Sequence, residues 1–163
     1  MEGERVRLSK QNIAELSGPD GLAAKLSKPK QRKKRGNEED ITQRTVVSWW
    51  SGYHSTVKIP ERLLYANVNG AVLGHGKEEY QVKQRQIRGR LLKLAGLRNG
   101  VFDLFLAVAR KGAHGLYLEL KAGDNDTSKD QDMFMYDVRD QGYVAVVCWS
   151  AEDAINAIKA YLE

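Results

Sequence analysis

Asp103, Glu119 and Lys121 are the residues of this chain whose types and spacing suit chemistry on a charged substrate. The stretch G-L-Y-L-E-L-K-A-G, residues 115–123, is a strand-like apolar pattern interrupted by an acid and a base two positions apart. Strand side chains alternate in direction, so Tyr117, Glu119 and Lys121 share one face while Leu116, Leu118 and Leu120 share the other. The leucine face packs; the opposite face is chemical. Upstream, V-F-D-L-F-L-A-V-A-R at 101–110 reads as a second strand, and the glycine-containing turn K-G-A-H-G joins the two as a β-hairpin. Pairing them brings Asp103, near the start of its strand, to the end of the sheet that carries Glu119 and Lys121. Two carboxylates on adjacent strands are hard oxygen ligands suited to Mg²⁺ or Mn²⁺. Such an ion stabilises charge on a phosphodiester and helps to deprotonate an attacking water, and a nearby lysine orients that water or neutralises developing charge. The competing reading is an exposed cross-strand ion pair on a half-solvated face, which contributes little.

Several elements must position these groups. Residues 38–53, E-E-D-I-T-Q-R-T-V-V-S-W-W-S-G-Y, place Ile41, Thr45, Val46, Trp49 and Trp50 at helical spacing, with Glu38, Glu39 and Asp40 favourably set at the positive end of the helix dipole. A short strand follows at 62–68, and Asn69-Gly70 opens a glycine-containing loop. Residues 79–95 form a polar helix that stops at Gly96, with apolar positions Val82, Ile87, Leu91, Leu92 and Leu94 and basic side chains Lys83, Arg85, Arg88, Arg90 and Lys93. After the hairpin, residues 128–139 are a helix carrying Met133, Phe134 and Tyr136, with Ser128 and Gln131 at capping-box spacing. G-Y-V-A-V-V-C-W at 142–149 is a nearly continuous apolar strand of the kind found at a sheet centre, and residues 151–162 close the chain as an amphipathic helix. The order α-β-α-β-β-α-β-α predicts an α/β fold: a mixed sheet flanked by helices.

Composition bounds the function. A chain of 163 residues, 42% of them hydrophobic, can bury one core of ordinary size. Its single cysteine, Cys148, excludes an intrachain disulfide and a cysteine-built metal site. No apolar run reaches membrane-spanning length and the N-terminus lacks a secretory h-region, which points to a soluble protein of the cytoplasm, free of the membrane. Residues 1–37 hold ten Lys or Arg against four Asp or Glu, a net +6 that leaves −1 on the rest of a chain whose total is +5. The basic excess therefore belongs to an N-terminal extension, 1–37, set apart from a domain at 38–163. Within it K-P-K-Q-R-K-K-R-G, with Lys33, Lys34 and Arg35, is either a solvated linker or an arm that contacts nucleic-acid phosphates.

Other constellations carry less. His54, His75 and His114 are isolated, with no partner at zinc-ligand spacing. Asp124, Asp126 and Asp130 lack the central glycine and terminal glutamate of a calcium loop. Gly70, Gly74 and Gly76 precede no Gly-Lys-Ser/Thr, so they make no P-loop. Trp49 and Trp50 suit base stacking, but at least one belongs to a core.

Taken together, N-G-V-F-D-L-F-L, then G-L-Y-L-E-L-K-A-G, then S-K-D-Q and finally Q-G-Y-V-A-V-V-C-W resemble the VRR-Nuc branch of the PD-(D/E)XK nuclease superfamily, often encoded by phages and prophages. Gly100 to Asp103 are similar to that family's G-V-P-D with phenylalanine in place of proline. Glu119-Leu120-Lys121 is similar to its E-X-K, and Ser128 with Gln131 to its S-X-X-Q. The resemblance spans residues 38–162 and implies a restriction-endonuclease-like αβββαβ core with flanking helices. It implies that Asp103, Glu119 and the backbone carbonyl of Leu120 bind Mg²⁺ or Mn²⁺ and that Lys121 is the catalytic lysine. Glu39, or Glu38 by a one-residue shift, would be the acid that approaches from the first helix. Gln131 would orient water or substrate, caps its helix, or does both. The implied activity is a metal-dependent endonuclease, in a homodimer, cutting structured or branched DNA in phage replication, recombination or repair. Phosphates would be held by Lys83, Arg85, Arg88, Arg90, Lys93 and the basic arm. The alternative is an accessory protein that binds DNA with the same fold and no turnover.

Overall fold

A computed structural model describes residues 38–67 and 79–163. Residues 1–37, with Lys33, Lys34 and Arg35, lie outside the described residues, as do the Asn69-Gly70 loop, Gly74, His75, Gly76 and the side chain of Arg85. The elements are α1 (Glu38–Tyr53), β1 (Leu64–Ala66), α2 (Glu79–Leu94), β2 (Leu104–Leu106), β3 (Leu116–Leu120), α3 (Lys129–Asp140), β4 (Val144–Cys148) and α4 (Ala151–Leu162). Their order is the one predicted, a mixed α/β sheet flanked by helices.

The four strands lie in the order β1-β2-β3-β4. β1 with β2 and β2 with β3 are antiparallel, whereas β4 runs parallel to β3 because the α3 crossover returns the chain to its starting edge. The hairpin between β2 and β3 turns at Lys111 and Gly112, both with positive φ as a tight primed turn demands, and an Arg110–Ala113 bridge closes it.

One face of the sheet packs Leu104, Leu106, Leu118 and Leu120 against Val46 and Trp50 of α1 and Ile158 of α4. The other face packs Phe102, Ala145, Val147 and Trp149 under Met135 of α3. β4 is therefore covered on both sides, which explains five consecutive buried residues and an unbroken apolar sequence. Trp50 is the core tryptophan, with its indole N–H donated to the carbonyl of Glu61 at 2.8 Å; Trp49 is half-buried and stacks on Tyr53.

The structure differs from the sequence reading in element lengths and in what two helices bury. The strand expected over 101–110 is confined to Leu104–Leu106; of that expected over 62–68, whose last residue lies outside the described residues, Leu64–Ala66 is strand after a 3-10 turn at Glu61–Leu63. The apolar positions of α2 do not meet the core: Ile87, Leu91 and Leu94 are exposed, Leu94 by 83%. Ile41 of α1 is likewise exposed, so Val46 and Trp50 hold that helix down. Among the described residues no helix is long and apolar enough to cross a membrane.

Candidate active site

The chemistry-bearing end of the hairpin starts with a break in β2. Phe102 packs on the α3 side while Leu104 packs on the α1 side, although residues two apart in a regular strand share a face. The chain bends at Asp103, between them. In the β2–β3 register the Leu120 amide would meet the carbonyl of Phe102, but that carbonyl accepts from Asn67 Nδ2 at 2.8 Å. The Asp103 carboxylate takes over the vacated ladder position, its Oδ2 accepting from the Leu120 amide at 2.9 Å. Asn67 also donates its backbone N–H to Asp103 O at 2.8 Å, so it grips the bend from both sides. Sequence reading missed Asn67. Its signal, an asparagine at a strand end, is common to many turns.

Glu119 and Lys121 are not an exposed surface pair. Glu119 is 2% and Lys121 9% exposed, and Lys121 Nζ lies 2.7 Å from Glu119 Oε1. α3 covers them from its first turn. Ser128 and Gln131 form a full capping box: Ser128 Oγ accepts from the Gln131 amide, and Gln131 Oε1 accepts from the Ser128 amide at 2.8 Å. The same Gln131 Oε1 accepts from Lys121 Nζ at 3.0 Å, and Gln131 Nε2 donates to Glu119 Oε1. One side chain therefore caps α3 and bridges Lys121 and Glu119.

The first turn of α3 is seated on Gly100, whose φ is +80°; a Cβ there would lie 2.3 Å from the carbonyl oxygen of Asp130. Gly100→Ala is expected to destabilise the fold by at least about 1–3 kcal/mol, the strain of a side chain in that backbone region. Thermal melting reads the effect, and an unchanged melting temperature would show that the helix does not rest on this contact.

Burial raises the Asp103 carboxyl above its ordinary value, against the lowering effects of the Leu120 amide and the Lys121 charge. Glu119 is pushed up to about 7, by burial first and the Asp103 charge second, with Lys121 opposing. Glu39 adds its negative charge to both, and its Oε1 lies 3.5 Å from Asn125 Nδ2 on the loop after β3. Of the two acids considered on α1, Glu39 is the one whose charge reaches the site. That loop is tied to the sheet by the Trp149 indole N–H, which donates to Asn125 O at 3.2 Å.

Among the described residues no three His, Cys, Asp or Glu side chains converge to form a metal cage by themselves. The donor set nevertheless fits a hard cation that needs only two carboxylates. Glu119 Oε2 is buried with no hydrogen-bond partner, while its other oxygen accepts from both Lys121 and Gln131. An orphaned carboxylate oxygen in a protein interior is costly unless a cation or proton meets it.

The predicted basic residues divide. Lys93 lines a cleft of about 550 Å³ with Arg98, Val101, Asp130 and Phe134, beside the bend that leads to Asp103. Lys83, Arg88 and Arg90 are exposed along α2.

With this geometry in place, comparison with solved structures finds a chain named "VRR_NUC domain protein" that superposes with a TM-score of 0.60 at 22% sequence identity, covering 78% of this chain and 90% of that one. The protein has that chain's fold. No family model and no curated protein matches the sequence. At this level of identity the likeness is one of fold.

Proposed function

We propose that the protein is a metal-dependent endonuclease that hydrolyses phosphodiester bonds in DNA. The observation that carries the reading is the buried, unpartnered Glu119 Oε2 beside Asp103, next to a lysine that is itself held at 2.7 and 3.0 Å by two acceptors. A structural ion pair accounts for Glu119 Oε1 and Lys121 but leaves no purpose for burying the second oxygen.

Asp103 and Glu119, with the carbonyl of Leu120, would hold Mg²⁺ or Mn²⁺, and that ion would supply charge stabilisation on the phosphate and acidify water. The Leu120 amide fixes the Asp103 carboxylate, so this ligand is oriented before substrate arrives. Lys121 places a positive charge where negative charge accumulates on the non-bridging oxygens, in a setting from which most water is excluded. Gln131 keeps the ammonium and the Glu119 carboxylate in register through both ends of its amide. Attack by water forms one P–O bond as the bond to the 3′ oxygen breaks, leaving a 5′-phosphate and a 3′-hydroxyl. A structured or branched DNA substrate and a homodimeric assembly belong to the same proposal and rest on the motif resemblance.

End-labelled linear, nicked, flapped and four-way DNA, incubated with Mg²⁺ or Mn²⁺ and with chelator, tests this reading. Cleavage is expected with metal only, and Asp103→Asn is expected to lose it while keeping an acceptor for the Leu120 amide. Equal cleavage by wild type and Asp103→Asn would overturn the assignment, and binding of every substrate without cleavage would favour an accessory role.

A further inference from the structure

The face of the sheet that presents the carboxylates also carries a row of aromatic rings. Tyr65 of β1, Phe105 of β2 and Tyr117 of β3 are direct cross-strand partners. Tyr65 meets Phe105 edge-on at 5.6 Å between centroids, and Phe105 stacks on Tyr117 at 4.3 Å. Tyr143, just before β4, extends the row with its ring 5.5 Å from that of Tyr117. Gly115 makes room for it: a Cβ there would come within 2.7 Å of the Phe105 ring.

On this face α3 covers the β3–β4 half, with Phe134 against Tyr117, and among the described residues no helix covers β1 and β2. Tyr65 is 46% exposed, and Phe105, Tyr117 and Tyr143 are each half-buried. Carried one residue past the ends of β1 and β2, the same register gives the adjoining row Asn67, Asp103 and Glu119, with the Asn67 amide donating to Asp103 O. Two residues of strand separate the rows, a distance of roughly 6–7 Å, so a polynucleotide with its phosphate at the carboxylates has its neighbouring bases within reach of the rings. Cross-strand packing alone accounts for aromatic pairs. It does not account for leaving the outermost ring open to solvent on the side that continues into a phosphate-hydrolysing site.

We infer that Tyr65, Phe105, Tyr117 and Tyr143 form a stacking platform for unpaired bases, which directs the strand junction or single-stranded stretch of a DNA substrate into the site. The inference rests on the nuclease reading for its ligand class. Bases stack on exposed aromatic rings with little regard to sequence, whereas paired bases in a duplex have their faces already covered. The platform therefore selects structure and not sequence.

Fluorescence anisotropy in chelator, with a labelled single strand and a blunt duplex of the same length, tests it without requiring cleavage. Wild type is expected to prefer the single strand. Tyr65→Ala and Tyr65→Leu are expected to weaken that binding by about 5-fold to 100-fold and to leave the duplex unchanged, while Tyr65→Phe binds as wild type. Tyr65→Leu keeps bulk without a π face, so its binding as wild type would overturn the platform even if Tyr65→Ala folded poorly. Equal losses on both DNAs, or no change with either, would also overturn it; the latter is the outcome if the row serves a protein partner. A strand preference that depends on Tyr65, in a protein that yields no product with Mg²⁺, supports the platform and removes the hydrolytic reading.

Discussion

Lys121→Met is expected to slow metal-dependent DNA cleavage by about 10²–10⁴-fold, the range associated with removing a positioned proton-transfer or charge-stabilising group. The side chain is 9% exposed and its ammonium has two fixed acceptors, Glu119 Oε1 and Gln131 Oε1. It is therefore preorganised, and substrate need not order it. Methionine keeps the length and apolar stem of lysine without the charge. Loss of the ammonium leaves Glu119 without its cation, but a carboxyl already pushed up to about 7 takes up a proton readily and so avoids a bare buried charge. Single-turnover cleavage and thermal melting should separate the two effects: a large fall in rate with a small change in melting near neutral pH. A variant that cleaves at the wild-type rate would remove Lys121 from the chemistry.

Glu119→Gln should abolish cleavage and, in chelator, make the protein more stable at pH 8 relative to wild type than at pH 5. In the folded state Glu119 is pushed up to about 7 from the ordinary carboxyl value of 4.5, so folding favours the protonated carboxyl. Below pH 4.5 both states are protonated and the group carries no penalty. As pH rises from 4.5 through 7 the unfolded chain ionises first, and the folded state loses stability until both are ionised. Each pKa unit is about 1.4 kcal/mol, which puts the full cost on the order of 3 kcal/mol. Glutamine never ionises and avoids it. Melting curves at the two pH values check the sign, and a stability difference that does not grow with pH would refute the buried charge. Mg²⁺ should raise the melting temperature of wild type and not of the variant, because a cation that binds only the folded state stabilises it by mass action. Stability is thus held below its maximum at a residue that the proposed activity requires.

Fold and site were legible to different depths. The order of elements could be read because helix and strand patterns are local: alternation marked β3, continuous apolarity marked β4, and spacing marked α1. Element lengths were less legible. Val101-Phe102 has strand composition, but the bend at Asp103 turns Phe102 toward α3, and only packing against Met135 and Trp149 makes that turn favourable. In α2 the apolar periodicity is real, yet Leu91 and Leu94 face solvent; a sequence period shows that a face exists and not what meets it.

By itself, the sequence determined that Glu119 and Lys121 share a strand face, that Asp103 stands on a neighbouring strand, and that Ser128 and Gln131 open a helix, since each depends on contacts a few residues apart. The tertiary structure decided their burial, the transfer of the Leu120 amide to the Asp103 carboxylate through Asn67, and the second use of a capping glutamine as a bridge between acid and base. These depend on the β3–α3–β4 crossover and on contacts between residues as far apart as Asn67 and Phe102. Burial is also what separates a chemical site from a surface ion pair, because it sets the cost of leaving one carboxylate oxygen without a partner.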